Sequence, residues 1–321
     1  MPRRLRTLSE IGESALIARI ARRAGHAPNT DWPLGIGDDA AILRPRAGSD
    51  LVLSTDAQVE NVHFRFGREM PRTVGRRALA VNLSDLAAMG ATPVGCLLSL
   101  AVPADLGLNV FDALIDGIVA EGERYACPLV GGNLARAEDC SLHVTVVGRI
   151  VRGRALLRGR LRPGDELFVT GVLGSAALAR QRADLLGTRH ARVPVPRLEA
   201  GSRLARSKAT TACIDLSDGL ATDLAHLLEG SGLGARVELD ELPVARRFVR
   251  DCADLGLDPK RLMLEGGEDY ELLFARRVGR RGREIGRLEA DFGIRLTRIG
   301  RVVDRPGIEG LPPTSGQGHH F

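Results

Sequence analysis

Six aspartates sit where apolar runs of the chain give way to small residues: Asp38 and Asp39 in GIGDDAAIL, Asp56 in LVLSTDAQVE, Asp85 in AVNLSDLAAMG, and Asp215 and Asp218 in CIDLSDGLATD. Taken singly, each reads as a turn or a helix cap, because Asp and Gly favour turns and an Asp before a helix accepts its first free N–H groups. As a set they imply other chemistry. Carboxylates that converge repel one another and lose hydration, so they require hard cations to neutralise them. The hydroxyls of Ser54 and Thr55 beside Asp56 keep the donor set to oxygen, which favours magnesium over zinc or copper. Magnesium takes few protein ligands and completes its shell with water and phosphoryl oxygens, so the set points to a nucleotide.

A Walker-type phosphate loop is excluded. The only lysines are Lys208 and Lys260, and neither ends a glycine-rich run before Ser or Thr. Backbone amides at Gly131-Gly132 and Gly266-Gly267 offer another way to approach phosphate, although both pairs also read as plain strand-to-loop turns. No side chain stands out as an activated nucleophile. His63 alone reads as a packing or surface residue, and Arg158 alone as a solvated charge.

These residues need elements to hold them. Leu8, Ile11, Leu16 and Ile20 predict an N-terminal amphipathic helix, followed by a Pro/Gly-containing loop that carries Asp38 and Asp39 on a turn. Strands are predicted at Leu51 to Ser54, Val94 to Val102 and Leu142 to Ile150, with helices near Gly75 to Met89 and Asn109 to Tyr125. Val94 to Val102 is apolar on both faces, as a strand covered on both sides would be. The Gly- and Arg-rich stretch Val151 to Asp165 predicts a domain junction, dividing the chain into 1–152 and 153–321. The second domain is predicted to hold strands at Glu166 to Thr170, Ala212 to Leu216, Ala235 to Leu239, Glu271 to Ala275 and Leu296 to Val303. Its helices fall near Ser175 to Leu186, Gly219 to Leu228 and Arg280 to Asp291, and the tail from Pro306 is turn-rich. The fold class is α/β of the α+β type.

Composition removes several classes of function. With 44% apolar and 26% charged residues, 321 residues can bury two cores. The formal charge of +5 is almost wholly arginine, scattered among acids, and 3% aromatic content leaves few rings for base stacking, so nucleic acid is not the expected partner. Cys96, Cys127, Cys140, Cys213 and Cys252 are odd in number and form no CxxC pair, which argues against a disulfide framework or thiolate zinc and for a reducing cytoplasm. MPRRLRTLSEIGE lacks an apolar core, so no secretory signal is read there, and no apolar run is long enough to span a bilayer.

The ordered series GIGDDAAIL, STDAQVENVHF, ALAVNLSDLAAMGATP, LVGGN, RPGDELFVTG, IDLSDGLATDL, GGEDYELLF and IGRV resembles the thiamine-monophosphate kinase family, within the aminoimidazole-ribonucleotide-synthetase-like superfamily. The likeness runs from Ile11 to Val303 and keeps motif order and spacing. It implies ATP-dependent phosphorylation of thiamine monophosphate to thiamine diphosphate with several magnesium ions. It also implies a homodimer whose N-terminal sheets pack into a barrel-like core, with a C-terminal α/β domain completing the nucleotide and substrate cleft. By the same resemblance Asp39, Ser54, Thr55, Asp56, Asp85, Asn133, Asp215 and Asp218 hold metal, with Asp38 supporting the first turn. Gly132, Asn133, Arg158 and Ser217 contact ATP, while His63 and Glu268 face the thiamine phosphate. Direct in-line transfer follows, because a phosphate acceptor is already ionised near neutral pH and needs no strong base.

Two features depart from the family pattern. GGN stands where GGD is usual, so Asn133 brings a carbonyl oxygen but no charge, and SGQGHHF at the end lacks an expected ring-covering aromatic. Superfamily relatives acting on a ribonucleotide, selenide or a carbamoyl group share the acidic and glycine motifs, but VHF, SDLAAMG and GGEDYEL favour thiamine phosphate. A non-catalytic protein that binds nucleotide or thiamine phosphate is the competing reading of another class.

Overall fold

Glycines and prolines between the periodic stretches decide where the elements of this chain stop. The computed structural model describes residues 6–25, 29–190, 192–278, 285–286, 289–290 and 293–312. They form two compact units. One takes the described residues of Met1–Leu86, Thr92–Arg152 and Arg189–Val193, and the other those of Ala87–Ala91, Gly153–Thr188 and Pro194–Phe321. Among the described residues, no helix is long and apolar enough to cross a membrane.

The first unit contains α1 (Glu13–Ala24), β1 (Ser49–Val59), α2 (Pro71–Ala88), β2 (Thr92–Val102), α3 (Leu108–Arg124), β3 (Leu129–Arg136) and β4 (Ser141–Val151). Its mixed sheet runs β1-β4-β2-β3, antiparallel except for the parallel β2–β3 pair. Two glycines let α2 and α3 touch backbone to backbone. A Cβ on Gly75 would lie 2.0 Å from the Leu114 carbonyl oxygen, and one on Gly117 would lie 2.2 Å from that of Arg72. Leu79, Leu83 and Leu86 of α2 and Phe111, Leu114 and Ile118 of α3 are fully buried, as are Leu142, Val144 and Val146 of β4. Each such side chain contributes about 2 kcal/mol by leaving water.

Among the described residues the opposite face of this sheet is covered at one end, where Trp32 packs with Val94, Val130 and Val147, with Leu97 against them, and donates its indole N–H to the Val94 carbonyl at 2.9 Å. Further along β2, Ser99 is exposed and Leu97 and Ala101 are half-buried, so the prediction of a strand covered on both faces is not met within one chain. Nor does the barrel-like core appear: among the described residues the sheet stays open, with β1 and β3 as its edges.

The second unit contains β5 (Glu166–Thr170), α4 (Ser175–Leu185), α5 (Leu198–Arg206), β6 (Thr210–Asp215), α6 (Leu220–Leu228), β7 (Gly234–Val237), α7 (Phe248–Asp254), α8 (Pro259–Glu265), β8 (Leu272–Arg276), β9 (Leu296–Val303) and β10 (Gly307–Glu309). The sheet order is β10-β7-β9-β5-β8-β6, antiparallel apart from β10–β7. Leu220, Leu224 and Leu227 recur at helical spacing and bury one face of α6 among Leu167, Val169, Ile214, Leu273 and Ile299.

Several elements differ from prediction. LVGGN is strand rather than turn, β1 continues through the STD motif instead of stopping there, and α5, α7 and α8 were not foreseen. Two of those helices are only seven residues long, too short for a clear period. The segment read as a turn-rich tail contributes β10. Most of the helix predicted at Arg280 to Asp291, and all of SGQGHHF, lie outside the described residues.

Candidate functional site

Alternation along β1 puts Ser54, Asp56 and Gln58 on the side of the sheet shared with Val146, Val144 and Leu142, and Thr55 on the other side opposite Thr145. Two of the first set reach α2. The Ser54 hydroxyl donates to Asp85 Oδ2, and Arg77 Nε donates to Gln58 Oε1 at 3.2 Å. The spacings match: four residues of strand span about 13 Å and eight of helix about 12 Å, so the strand and the antiparallel helix are laced at two points. Asp56 is exposed and its Oδ1 accepts the Ala57 N–H at 3.0 Å. On the opposite face Thr145 donates its hydroxyl to that of Thr55 at 3.0 Å, and Thr55 donates to the Val144 carbonyl at 3.2 Å.

Asp38 and Asp39 lie exposed on an irregular loop, where the Asp38 carboxylate accepts the Asp39 N–H at 2.8 Å. Asn133 is exposed in β3 opposite Ser99. It follows Gly132, whose φ of 155° and close approach to β2 no other residue tolerates easily; a Cβ there would lie 1.9 Å from the Leu98 oxygen. His63 sits on the connection after β1, with Nδ1 accepting the Val59 N–H at 3.1 Å.

In the second unit, Asp215 ends β6 and is buried, while Ser217 and Asp218 follow on the turn into α6. GGEDYEL lies beside that turn. Glu268 N–H donates to the Ser217 carbonyl at 2.7 Å, Tyr270 N–H to that of Leu216 at 2.8 Å, and Leu216 N–H to that of Glu271 at 2.8 Å. These bonds hold Glu268 and Tyr270 in left-handed backbone, at φ 59° and 53°, a conformation that costs about 1–3 kcal/mol per non-glycine residue and persists only under such restraint. Arg180 Nη1 donates to Glu268 Oε2 at 3.0 Å. Arg158 is exposed on the loop before β5, one residue after Leu157, whose carbonyl accepts the Cys213 N–H at 3.1 Å.

The supporting residues were not foreseen. Asp223 accepts the N–H groups of Asp218 and Gly219 at 3.0 and 3.1 Å. Its carboxyl is pushed up to about 8, first by burial and then by the nearby charges of Asp218 and Asp215. Asp269 accepts the N–H groups of Gly174 and Ala176 at 2.6 and 3.1 Å, capping α4 from a distant loop. Glu271 receives Arg197 through both Nε, at 2.7 Å, and Nη2, at 2.5 Å, and the Thr170 hydroxyl at 2.6 Å. The signal for these three was a carboxylate inside a quoted motif, but a cap or buried acceptor cannot be told from a ligand without the fold. Truncating Asp223 to alanine orphans two turn amides, and a loss of about 2–4 kcal/mol is expected from a denaturant titration. A change under 0.5 kcal/mol would mean that water replaces the carboxylate.

Among the described residues, no group of three or more His, Cys, Asp or Glu side chains that could hold a metal ion is gathered. Ser54 and Asp85 are brought together, whereas Asp39, Asp56 and Asp85 do not form such a cluster.

Residues 37–150 match the family model "AIR synthase related protein, N-terminal domain", and residues 162–311 match "AIR synthase related protein, C-terminal domain". The thiamine-monophosphate kinase of Salmonella typhimurium is 38% identical over 94% of this chain and 95% of its own. The crystal structure of thiamine-monophosphate kinase from Stenotrophomonas maltophilia K279a superposes with a TM-score of 0.80 at 36% identity, covering 93% of this chain and 96% of that one. AaThiL complexed with AMPPCP and TMP gives a TM-score of 0.75 at 30% identity, over 98% and 99% of the two chains. The chain therefore belongs to the AIR synthase related proteins and, among them, to the thiamine-monophosphate kinase family.

Proposed function

We propose that this chain phosphorylates thiamine monophosphate to thiamine diphosphate with ATP. The observation that carries the reading is end-to-end likeness to AaThiL, which is complexed with the nucleotide analogue AMPPCP and with TMP together. Gly132, Asn133, Arg158 and Ser217 are assigned to ATP, and His63 and Glu268 to the acceptor. The bond from Glu268 N–H to the Ser217 carbonyl supports this division, because it fixes an acceptor-facing residue directly to a nucleotide-facing one. Arg158, exposed on its loop, has the planar fork suited to a phosphate.

Magnesium fits the residues present. The donors are oxygens throughout, and Asp223, whose carboxyl is raised first by burial, also feels the charges of Asp218 and Asp215, which a cation would offset. A magnesium ion needs only one or two protein carboxylates beside substrate phosphates and water, so three clustered acids are not a requirement. Asp39, Ser54, Thr55, Asp56, Asp85 and the Asn133 carbonyl would hold metal on the first unit, and Asp215 and Asp218 on the second. Bound magnesium supplies charge neutralisation between the two anions. The chain orients the acceptor through His63 and Glu268; the phosphate oxygen of thiamine monophosphate attacks the γ-phosphorus of ATP in one in-line step, the bond from that phosphorus to the β–γ bridging oxygen breaks, and ADP leaves. Transfer to an isotopically chiral phosphorus is expected with inversion, and retention would require a phosphoenzyme.

The exposed Leu53 and half-buried Leu97 and Ala101 on the open sheet face support a homodimer paired through the N-terminal sheets, which sedimentation at micromolar concentration tests. A reducing cytoplasm suits five free, buried cysteines.

The deciding assay incubates the protein with ATP, magnesium and thiamine monophosphate and measures thiamine diphosphate and ADP. ATP binding without turnover would instead favour a non-catalytic binding protein. Asn133→Asp restores a carboxylate and is expected to lower the magnesium needed for half-maximal rate by roughly threefold to tenfold, with kcat little changed. Complete loss of activity would mean that the neutral side chain has a role of its own.

A further inference from the structure

Between β1 and α2 the chain runs through residues 60–70 without regular structure, carrying His63 with it. One guanidinium ties that connection at two places and the end of β1 at a third. Arg77, on α2, donates Nε to Gln58 Oε1 near the end of β1, Nη2 to the His63 carbonyl at 3.1 Å early in the connection, and Nη1 to Glu69 at its end. The Arg77 and Glu69 side chains are each 7% exposed. A buried charge pair of this kind adds little net stability over apolar packing, yet removing one partner is costly, so its value lies in geometry. Lysine cannot reproduce it, since three directions at fixed angles need the planar fork of arginine.

Within this grip the histidine ring is already set. The Val59 N–H donates to Nδ1 at 3.1 Å, and the His63 N–H donates to the Val59 carbonyl at 2.8 Å. Because Nδ1 accepts, the ring proton of neutral His63 lies on Nε2, which makes that atom a hydrogen-bond donor. The two-point lacing of β1 to α2 thus has separate ends. Ser54 and Asp85 stand at the end assigned to metal; Gln58 and Arg77 stand at the end that shapes the His63 connection.

We propose that Arg77 is a positioning residue for the phosphate acceptor, setting the His63 segment and through it the affinity for thiamine monophosphate without touching substrate. This rests on the assignment of His63 to the acceptor. Moving that segment weakens acceptor binding while leaving the nucleotide and metal groups in place. Equal losses for both substrates would instead mark a purely structural role.

The test compares wild type, Arg77→Lys, His63→Ala and the double variant in steady-state kinetics, with melting curves for each. Arg77→Lys is expected to raise KM for thiamine monophosphate by about tenfold, with KM for ATP within about twofold and kcat within about threefold. In the His63→Ala background the same change is expected to add less than about twofold, because coupled residues are not additive. Equal rises in both KM values, or full additivity in the double variant, would overturn the role of Arg77. Should Arg77→Lys fail to fold, Glu69→Gln loosens one arm alone and must show the same KM split, and no split there also overturns it. Wild type that makes no thiamine diphosphate overturns the functional reading itself, a result distinct from active wild type with unsplit variants.

Discussion

Asp85→Asn is expected to cut kcat about a thousandfold, the scale seen when one pre-organised charge is removed from a transition state stabilised by electrostatics. The side chain sits in the last turn of α2, half-buried, and accepts the Ser54 hydroxyl. Asparagine keeps the shape and still offers an acceptor to Ser54, so the fold should survive with a loss of only about 1 kcal/mol, from exchanging a charged for a neutral hydrogen bond. That separation makes the experiment decisive. Magnesium with ATP should raise the melting temperature of wild type by mass action and raise that of the variant much less. Activity within threefold of wild type at saturating magnesium would remove Asp85 from the metal assignment.

Gly132→Ala is the second large effect, and it acts through backbone. The new Cβ would meet the Leu98 oxygen at 1.9 Å and its carbonyl carbon at 2.7 Å, atoms of the paired strand β2 that cannot rotate away. Backbone strain at positive φ adds to the overlap, and together they predict a loss of about 3–5 kcal/mol. The neighbouring Gly131→Ala is a built-in control. There the nearest atom is Leu97 Cδ2 at 2.9 Å, the mobile end of a side chain, so about 1 kcal/mol is expected. Denaturant midpoints of the two variants should differ clearly. If Gly132→Ala melts with wild type, β2 and β3 are not held as closely as the register indicates. If it folds but is destabilised, ATP affinity should fall too, because Asn133 moves with the strand.

Long apolar periods were legible along the chain. Leu142 to Val146 alternates and forms β4; Leu114 and Ile118 recur at helical spacing and are buried in α3. Short elements were not, since α7 and α8 span seven residues each and β10 three. LVGGN misled because paired glycines ordinarily signal a turn, whereas here they allow two strands to approach. The STD motif misled for the opposite reason: polar residues end an apolar run in sequence, but in an edge strand they continue the pairing with β4.

Motif order and residue type were enough to determine the family, because motifs are properties of local sequence. Which carboxylate serves as cap or clamp was decided only by the fold. Asp269 and Glu271 look like any other motif carboxylate along the chain, yet Asp269 caps the start of α4 and Glu271 holds Arg197, donors that folding brings from elsewhere in the chain. A carboxylate's role depends on which donors surround it and how much water remains, and both are settled by contacts between residues far apart in sequence.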